Sequence, residues 1–127
     1  MTSNEPDIMK SQPLLSIVIP THNRAKYAVH AIPSILNNLQ GRIELIVHDT
    51  SDSNDLEFFV SGILDKRLIY RHTDQKLSMT ENHNRAMELA RGEYVCLIGD
   101  DDNVSPEIQS ATEWAKIKGI DVLSPNV

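Results

Sequence analysis

The 127-residue chain lacks several features that would point to particular classes of protein. Its single cysteine, Cys96, cannot form an internal disulfide, which is consistent with a reducing compartment. No apolar run approaches the roughly 20 residues that a transmembrane helix needs, and the polar N-terminus has neither the cationic nor the apolar part of a signal peptide. We therefore expect a cytoplasmic protein, and we leave open a peripheral association with the inner face of the membrane.

Clusters of basic residues are also missing. The formal net charge is −6, and the 12 lysines and arginines form no stripe that could neutralise a phosphate backbone, so we expect no nucleic-acid partner. With only 5 glycines and 6 prolines, the chain has no fibrous or low-complexity character. The remaining composition, 40% hydrophobic and 24% charged, is that of an ordinary globular domain with one core.

The order of apolar segments predicts an α/β fold. Residues 1–13 are polar and aperiodic, which predicts a disordered lead-in, and the domain is expected to span residues 14–127. Within it, short apolar runs alternate with stretches of helical periodicity, as in βαβ units built around a mostly parallel sheet. The predicted strands are residues 14–19, 43–47, 68–70, 94–98 and 120–123.

Two helices carry signals for their ends. Ser78 and Glu81 form a capping-box pattern, which predicts a helix that starts at this point and runs to about Ala90. Pro33 falls inside an apolar face with helical spacing, so it should either kink that helix or mark its true start. The last predicted strand, residues 120–123, would leave an apolar sheet edge that favours self-association.

Three polar clusters follow predicted strands, at 21–24, 49–52 and 100–102. Ligands of open α/β sheets bind outside the carboxyl ends of the strands, so these clusters are expected to share one rim. Three adjacent aspartates, Asp100 to Asp102, repel one another unless they are solvated, share protons or face a cation. Mg²⁺ or Mn²⁺ suits such a set, with the remaining ligands supplied by water and a diphosphate.

Simpler interpretations of these residues stay open at this point. The 100–103 segment is equally consistent with a solvated turn that caps the next helix, and Asp49 with a helix N-cap in place of a contact to a nucleoside. Arg24 fits a bidentate phosphate clamp, although a lone loop arginine is more often a surface charge.

Four segments together resemble the N-terminal half of family 2 glycosyltransferases of the GT-A fold. They are Ser16-Ile-Val-Ile-Pro-Thr-His-Asn-Arg24, Glu44-Leu-Ile-Val-His-Asp-Thr-Ser51, Asn84-Arg-Ala-Met-Glu-Leu-Ala-Arg-Gly-Glu-Tyr94 and Gly99-Asp-Asp-Asp102. The resemblance covers about residues 14–107. It implies a Rossmann-like three-layer sandwich with a mostly parallel sheet, truncated after the nucleotide-binding half.

The resemblance also implies the reaction and its site. A hexosyl group would pass from a nucleoside-diphosphate sugar, UDP-sugar by default, to an acceptor hydroxyl with inversion, and the acceptor saccharide or lipid-linked glycan is unspecified. Mn²⁺ or Mg²⁺ would assist at a DXD-type motif. The residues carried over are Pro20, Thr21, Arg24, Asp49, Asn84 and Asp100 for the nucleotide, and Asp101 and Asp102 for the metal.

Two positions depart from the family pattern. Gly99 stands where many members have the first aspartate of the metal motif, and His48 stands where an aspartate often precedes the pocket acid Asp49. No residue matches the family's catalytic base, which would lie beyond this chain. We therefore expect a donor-binding part that is incomplete as a catalyst.

Two other functions are considered beside the transferase. A non-catalytic nucleotide-sugar-binding or regulatory module would retain the donor pocket without transferring the sugar. A phospho-acceptor receiver domain also has acidic strand ends and Mg²⁺, but it needs a lysine after its last strand. The segment Ser124-Pro125-Asn126-Val127 provides none.

Overall fold

A computed structural model describes residues 12–124, which form four strands and four helices. The elements in chain order are β1 (Leu15–Thr21), α1 (Ala25–Asn38), β2 (Ile43–Asp49), α2 (Asp55–Val60), β3 (Leu68–His72), α3 (Met79–Glu88), β4 (Tyr94–Leu97) and α4 (Glu107–Lys118). This alternation confirms the predicted α/β class. Most of the predicted disordered lead-in, residues 1–11, lies outside the described part, as do residues 125–127.

The four strands form one sheet in the order β3-β2-β1-β4, and every neighbouring pair is parallel. Strands are added on one side of β1 up to β3, and the chain then crosses to place β4 on the other side. The strand order therefore reverses between β1 and β4. In open α/β sheets a crevice opens at such a switch point, outside the carboxyl ends of the strands.

Helices cover both faces of the sheet, which confirms the three-layer arrangement. The larger core joins alternate residues of β1 and β2, among them Ile17 and Leu45, to α1, α2 and the start of α4. The smaller core lies on the opposite face, where Ala86 of α3 packs against Val18 and Ile46. Because side chains alternate along a strand, the almost uninterrupted apolar runs of β1 and β2 supply both cores.

The amino end of the sheet is held by a buried polar cluster around Glu44. One Glu44 oxygen accepts from the Ser16 hydroxyl at 2.6 Å and from the backbone N–H of Arg91 at 2.7 Å. The other oxygen accepts from the Arg91 guanidinium at 3.3 Å, and the backbone N–H of Gly92 donates to Ser16 Oγ at 2.8 Å. These contacts join β1, β2 and the turn before β4, so a carboxylate with almost no exposure is fully paired.

One predicted helix start is confirmed, and one of the two alternatives for Pro33 is wrong. The capping box is present: Ser78 Oγ accepts from the Glu81 N–H at 3.1 Å, and the Ser78 N–H donates to the Glu81 carboxylate at 3.0 Å. Gly119 ends α4 in the left-handed conformation, with φ of 69°. Pro33 does not mark the start of its helix, because α1 begins at Ala25 and continues through the proline. The helix buries one apolar face.

The structure differs from two sequence predictions near the ends of the described residues. Pro13 is buried and its carbonyl accepts from the Glu93 N–H, while Gln12 contacts Arg91 and Arg42, so the ordered part begins before residue 14. At the other end, residues 120–123 form no strand. Instead, the Ile120 N–H donates to the Ala115 carbonyl at the end of α4, and the Ile120 carbonyl accepts from the Tyr94 hydroxyl.

The apolar sheet edge expected at residues 120–123 is therefore formed by β4. Val95 and Leu97 point to the face that α3 covers only in part, and they are 42% and 44% exposed. The self-association expected from such an edge stays a prediction, now attached to β4. No helix within residues 12–124 has the length and apolar character to cross a membrane.

Candidate nucleotide-binding cleft

A cleft of about 670 Å³ opens at the carboxyl end of the sheet, where the strand order reverses. Pro20, Thr21 and Arg24, which follow or end β1, line one part of it together with Asp100 and Asp102 from the loop after β4. The start of α3 forms the facing wall, through Leu77, Ser78, Met79, Asn82 and His83. Five of the eight predicted site residues thus meet in one cleft.

Asp100 is the central acid of the cleft, and it is bound by the protein itself. Its Oδ2 atom accepts from the Thr21 hydroxyl at 2.7 Å, and its Oδ1 atom accepts from Nε of Arg24 at 2.7 Å. The Asp100 carboxylate, by hydrogen bond and by charge, raises the pKa of Arg24 above its ordinary value. The guanidinium also stacks on the Tyr27 ring, 4.3 Å from its centroid.

Arg24 extends from Asp100 to the next acid. Its Nη2 atom donates to Asp101 at 3.3 Å, so one guanidinium neutralises much of the charge of two neighbouring aspartates. The sequence suggested that a cation was needed to reconcile these carboxylates, and the structure already provides one in Arg24. Arg24 is a surface charge that the protein itself pairs, because its side chain is 43% exposed and it contacts two carboxylates.

Asp101 and Asp102 lie further out in the same turn. The Asp101 side chain is 55% exposed, and Asp102 Oδ2 accepts from the Gly99 N–H at 3.0 Å. A Cβ atom on Gly99 would lie 3.0 Å from the Asp102 carboxylate and 3.1 Å from that of Asp101. Glycine at this position therefore lets the Asp101 and Asp102 carboxylates lie close to the backbone of the turn.

The chemistry of this turn fits a hard divalent cation only in part. Within residues 12–124 no three side chains of the histidine, cysteine, aspartate or glutamate type converge on one point. Asp101 and Asp102 each retain one carboxylate oxygen without a protein donor among the described residues. Two such ligands match the small protein contribution that Mg²⁺ and Mn²⁺ require, with water and phosphate filling the other positions.

The loop after β1 is tied to the loop after β2. Asn23 adopts φ of 55°, a left-handed conformation that asparagine tolerates better than most residues. Its side chain donates to Asp52 at 3.0 Å and accepts from the Asp52 N–H at 2.9 Å, while its own N–H donates to Ser51 Oγ at 2.7 Å. The two loops are therefore held together beside the cleft.

Asp49, which was predicted to contact the nucleotide, does not line the cleft. The residue is fully buried, and its oxygens accept from the Ser51 N–H at 2.9 Å and from the Tyr70 hydroxyl at 2.5 Å. Burial and then the Asp49 carboxylate raise the pKa of Tyr70 far above its usual range. With both oxygens engaged, Asp49 holds the loop after β2, and contact with a nucleoside would require these bonds to open.

Asn84 is likewise outside the cleft, because it lies on the exposed side of α3. Asn82, which the sequence analysis did not select, lies in the cleft and is buried together with Ala86, four residues on. Residues four apart share one face of a helix, whereas a residue two positions away points elsewhere. Counting from Ala86 along the apolar face would have identified Asn82 and excluded Asn84.

His48, which departs from the family pattern, is buried and contacts side chains of two other segments of the chain. Its Nδ1 atom is 2.7 Å from Asn82 Oδ1, and its Nε2 atom is 2.9 Å from the Thr73 hydroxyl. Nothing in residue spacing identifies these partners, since Asn82 lies 34 positions and Thr73 lies 25 positions away.

The hydrogen bond between Thr21 and Asp100 yields a stability prediction. Thr21→Val removes the hydroxyl at nearly constant volume and should lower the free energy of unfolding by about 2 kcal/mol, because a buried hydrogen bond to a carboxylate is lost. Thr112→Val is the matched control: both threonines are 3% exposed, but the Thr112 hydroxyl only bonds back to the carbonyl of Ile108 within α4. Urea unfolding followed by circular dichroism measures both, and equal losses would contradict the prediction.

His72, at the end of β3, links the loop after β2 to nearby carboxylates. Its Nε2 atom is 2.9 Å from the Ser51 carbonyl, and its Nδ1 atom is 3.5 Å from Asp74 and 3.8 Å from Glu57. The Ser51 carbonyl, followed by the charges of Asp49, Asp74 and Glu57, raises the pKa of His72 above 6.5. The charged imidazole is thus favoured in the folded protein.

This pKa shift predicts a pH-dependent stability. The contribution of His72 is fully present below the unfolded pKa of about 6.5 and is lost as the pH rises through the higher folded value. His72→Gln should therefore flatten the decline in the free energy of unfolding above about pH 6.5. His30→Gln, on an exposed position of α1, serves as the control. Parallel pH profiles for the wild type and His72→Gln would rule the contribution out.

The fold and the cleft define an all-parallel α/β domain with its ligand crevice at the strand-order switch. The family model "Glycosyl transferase family 2" matches residues 16–127, and the chain belongs to that family. The chain is 37% identical over 100 residues to WcaA of Escherichia coli (strain K12), which is assigned to colanic acid biosynthesis as a glycosyl transferase. That match covers 77% of this chain and 36% of WcaA.

A second relative and a solved structure agree with this membership. The chain is 34% identical over 95 residues to the GalNAc(5)-diNAcBac-PP-undecaprenol beta-1,3-glucosyltransferase of Campylobacter jejuni, covering 72% of this chain and 31% of that protein. The crystal structure of S. aureus TarS superposes with a TM-score of 0.69 at 21% identity, over 83% of this chain and 20% of TarS. The similarity to TarS shows the GT-A fold. The chain spans about a third of the length of the curated relatives that it matches.

Proposed function

We propose that this chain is the donor-binding part of a glycosyltransferase. The complete enzyme would move a hexosyl group from a nucleoside-diphosphate sugar, UDP-sugar first, to an acceptor hydroxyl with inversion. The catalytic base that deprotonates the acceptor hydroxyl would come from polypeptide outside this chain. The chain spans about a third of the length of its relatives, and no described residue matches that role.

One observation carries the proposal: Thr21, Arg24 and Asp100 are locked together at the mouth of the switch-point crevice. A cleft lined by the Arg24 guanidinium and the Asp102 carboxylate, with Asp101 in the adjoining turn, suits an anionic ligand that brings a cation with it. Asp101 and Asp102 would hold the cation through their remaining oxygens. Pro20 and Thr21 would contact the nucleoside side, and Arg24 would be available to the diphosphate.

A bound Mg²⁺ or Mn²⁺ would act as a Lewis acid that stabilises negative charge on the departing diphosphate. The chain's own contribution is position: the buried Asp100 holds Arg24 and Thr21, and the Gly99 N–H holds Asp102. Such pre-arranged groups stabilise developing charge without reorganising during the reaction.

Calorimetric titration with UDP, GDP and dTDP, with and without Mn²⁺, tests the proposal. We expect Mn²⁺-dependent binding of one nucleotide, which identifies the base, and a loss of roughly tenfold or more in Asp101→Asn. Asp121→Asn removes the same charge from an exposed position after α4 and should bind as the wild type does.

Two outcomes would contradict the proposal. One is the absence of binding of all three nucleotides by a chain whose circular dichroism shows the folded state. The other is binding that Asp101→Asn and Asp121→Asn weaken equally, which would reflect net charge and not a site at the 99–102 turn.

A further inference from the structure

A chain of buried hydrogen bonds runs beneath the cleft from β3 to β1. His48 and Asn82 are 4% and 5% exposed, and they contact each other between Nδ1 and Oδ1 at 2.7 Å. On one side, His48 Nε2 contacts the Thr73 hydroxyl. On the other, Asn82 Nδ2 donates to the Thr21 carbonyl at 3.2 Å and to Thr50 Oγ1 at 3.4 Å.

The direction of the central bonds follows from chemistry. The Thr21 carbonyl can only accept, so the amide nitrogen of Asn82 faces it and the amide oxygen faces His48. His48 Nδ1 must then carry a hydrogen and donate it to Asn82. Since Thr21 also donates its hydroxyl to Asp100, this series of contacts reaches the acid at the centre of the cleft.

Packing alone does not fix the start of α3. The apolar contacts of α3 with the sheet are made by Ala86, with Leu89 and Ala90 just beyond it, all in the second half of the helix or after its end. The first half includes Met79, Asn82 and His83, which form the wall facing Thr21 and Asp100. Asn82 is the buried residue of that half, and its contacts to the sheet are polar.

We propose that His48 and Asn82 are positioning residues that set the distance between the two walls of the cleft, and thereby its affinity for the nucleotide. His48 holds the Asn82 amide in the orientation that bonds Thr21, and Asn82 holds the first turns of α3 against β1. The part that concerns nucleotide affinity rests on the proposed function. The part that concerns the helix does not depend on any ligand.

Two variants of His48 separate positioning from general stability. His48→Phe keeps a ring of similar size but cannot donate to Asn82, whereas His48→Asn places an amide N–H near the former Nδ1 position and restores that donor. His30→Phe introduces the same substitution at an exposed position of α1 as a control. Only variants that are folded by circular dichroism at the measuring temperature are compared.

The first readout is amide hydrogen exchange, which needs no ligand. In His48→Phe we expect exchange at Asn82 and His83 to accelerate roughly tenfold relative to that at Leu89, with partial recovery in His48→Asn. Uniform acceleration along α3 would reflect global destabilisation and overturn the positioning role.

The second readout is the dissociation constant for UDP in the presence of Mn²⁺. We expect it to rise roughly tenfold in His48→Phe and to recover in part in His48→Asn, with no change in His30→Phe. Wild-type affinity in His48→Phe would overturn the positioning proposal. Failure of the wild type itself to bind would instead contradict the proposed function, and the exchange result would still decide the role of His48.

Discussion

Replacing Gly92 with alanine is expected to lower the free energy of unfolding by about 3 kcal/mol, with a fall in Tm of roughly 10 °C. A Cβ atom at this position would lie 2.5 Å from Ser16 Oγ, 2.7 Å from the Ser16 nitrogen and 2.8 Å from the Tyr94 carbonyl. Two of these atoms belong to the backbone of β1 and β4, so a side-chain rotation cannot relieve the clash. The strands must separate, which also breaks the bond from the Gly92 N–H to Ser16.

The control is Gly62→Ala, after α2, where the nearest atom to the added Cβ is the Phe59 carbonyl at 3.6 Å. That distance is ordinary contact, so its stability should stay within about 0.5 kcal/mol of the wild type. Urea unfolding monitored by circular dichroism measures both variants. If Gly92→Ala were as stable as Gly62→Ala, the close approach of β1 to the turn before β4 would be wrong.

Replacing Arg24 with glutamine is expected to strengthen Mn²⁺ binding, roughly tenfold to a hundredfold, if Asp101 and Asp102 form the proposed metal site. The guanidinium lies 2.7 Å from Asp100 and 3.3 Å from Asp101, so it repels a cation that approaches these carboxylates. Removing it makes the turn of three aspartates more negative by one charge and leaves the same oxygen ligands. A loss of fold at the turn would instead weaken the binding of Mn²⁺, so the direction of the change is diagnostic.

Electron paramagnetic resonance of free Mn²⁺ during titration gives the dissociation constant without any nucleotide. Arg85→Gln removes the same charge from an exposed position of α3, where the side chain donates to Gln75 at 3.4 Å, and it should bind Mn²⁺ as the wild type does. Unchanged or weaker binding in Arg24→Gln would show that Arg24 is not the internal counter-ion of a cation site.

The sequence predicts most of the fold because local patterns determine it. Apolar runs locate the four strands, helical spacing locates the helix that contains Pro33, and the capping box at Ser78 marks the start of α3. Residues 120–123 were predicted as a strand from apolar character alone. The structure shows no strand there, and Ile120 is engaged by a contact from Tyr94, 26 positions away, which no local pattern reveals.

The site was predictable where residues follow a strand end directly. Thr21, Arg24 and Asp100 meet because parallel strands bring their carboxyl ends to one rim. Asp49 also ends a strand, but the hydroxyl of Tyr70, 21 positions away, turns its carboxylate into the protein. The prediction for Asn84 was wrong for a different reason. The motif identified the helix correctly, but the face of the helix that Ala86 buries against the sheet carries Asn82, not Asn84, into the cleft.

Two-dimensional NMR of the ¹⁵N-labelled chain, titrated with UDP in the presence of Mg²⁺, tests most directly whether the switch-point cleft is the nucleotide site. We expect chemical-shift changes concentrated at residues 20–24, 77–83 and 97–102, which line or adjoin the cleft. Backbone signals of α2 and of the outer face of α4 should stay in place. Chemical-shift changes centred on α2 or α4, or no changes at a saturating concentration of nucleotide, would contradict the assignment of the cleft as the nucleotide site.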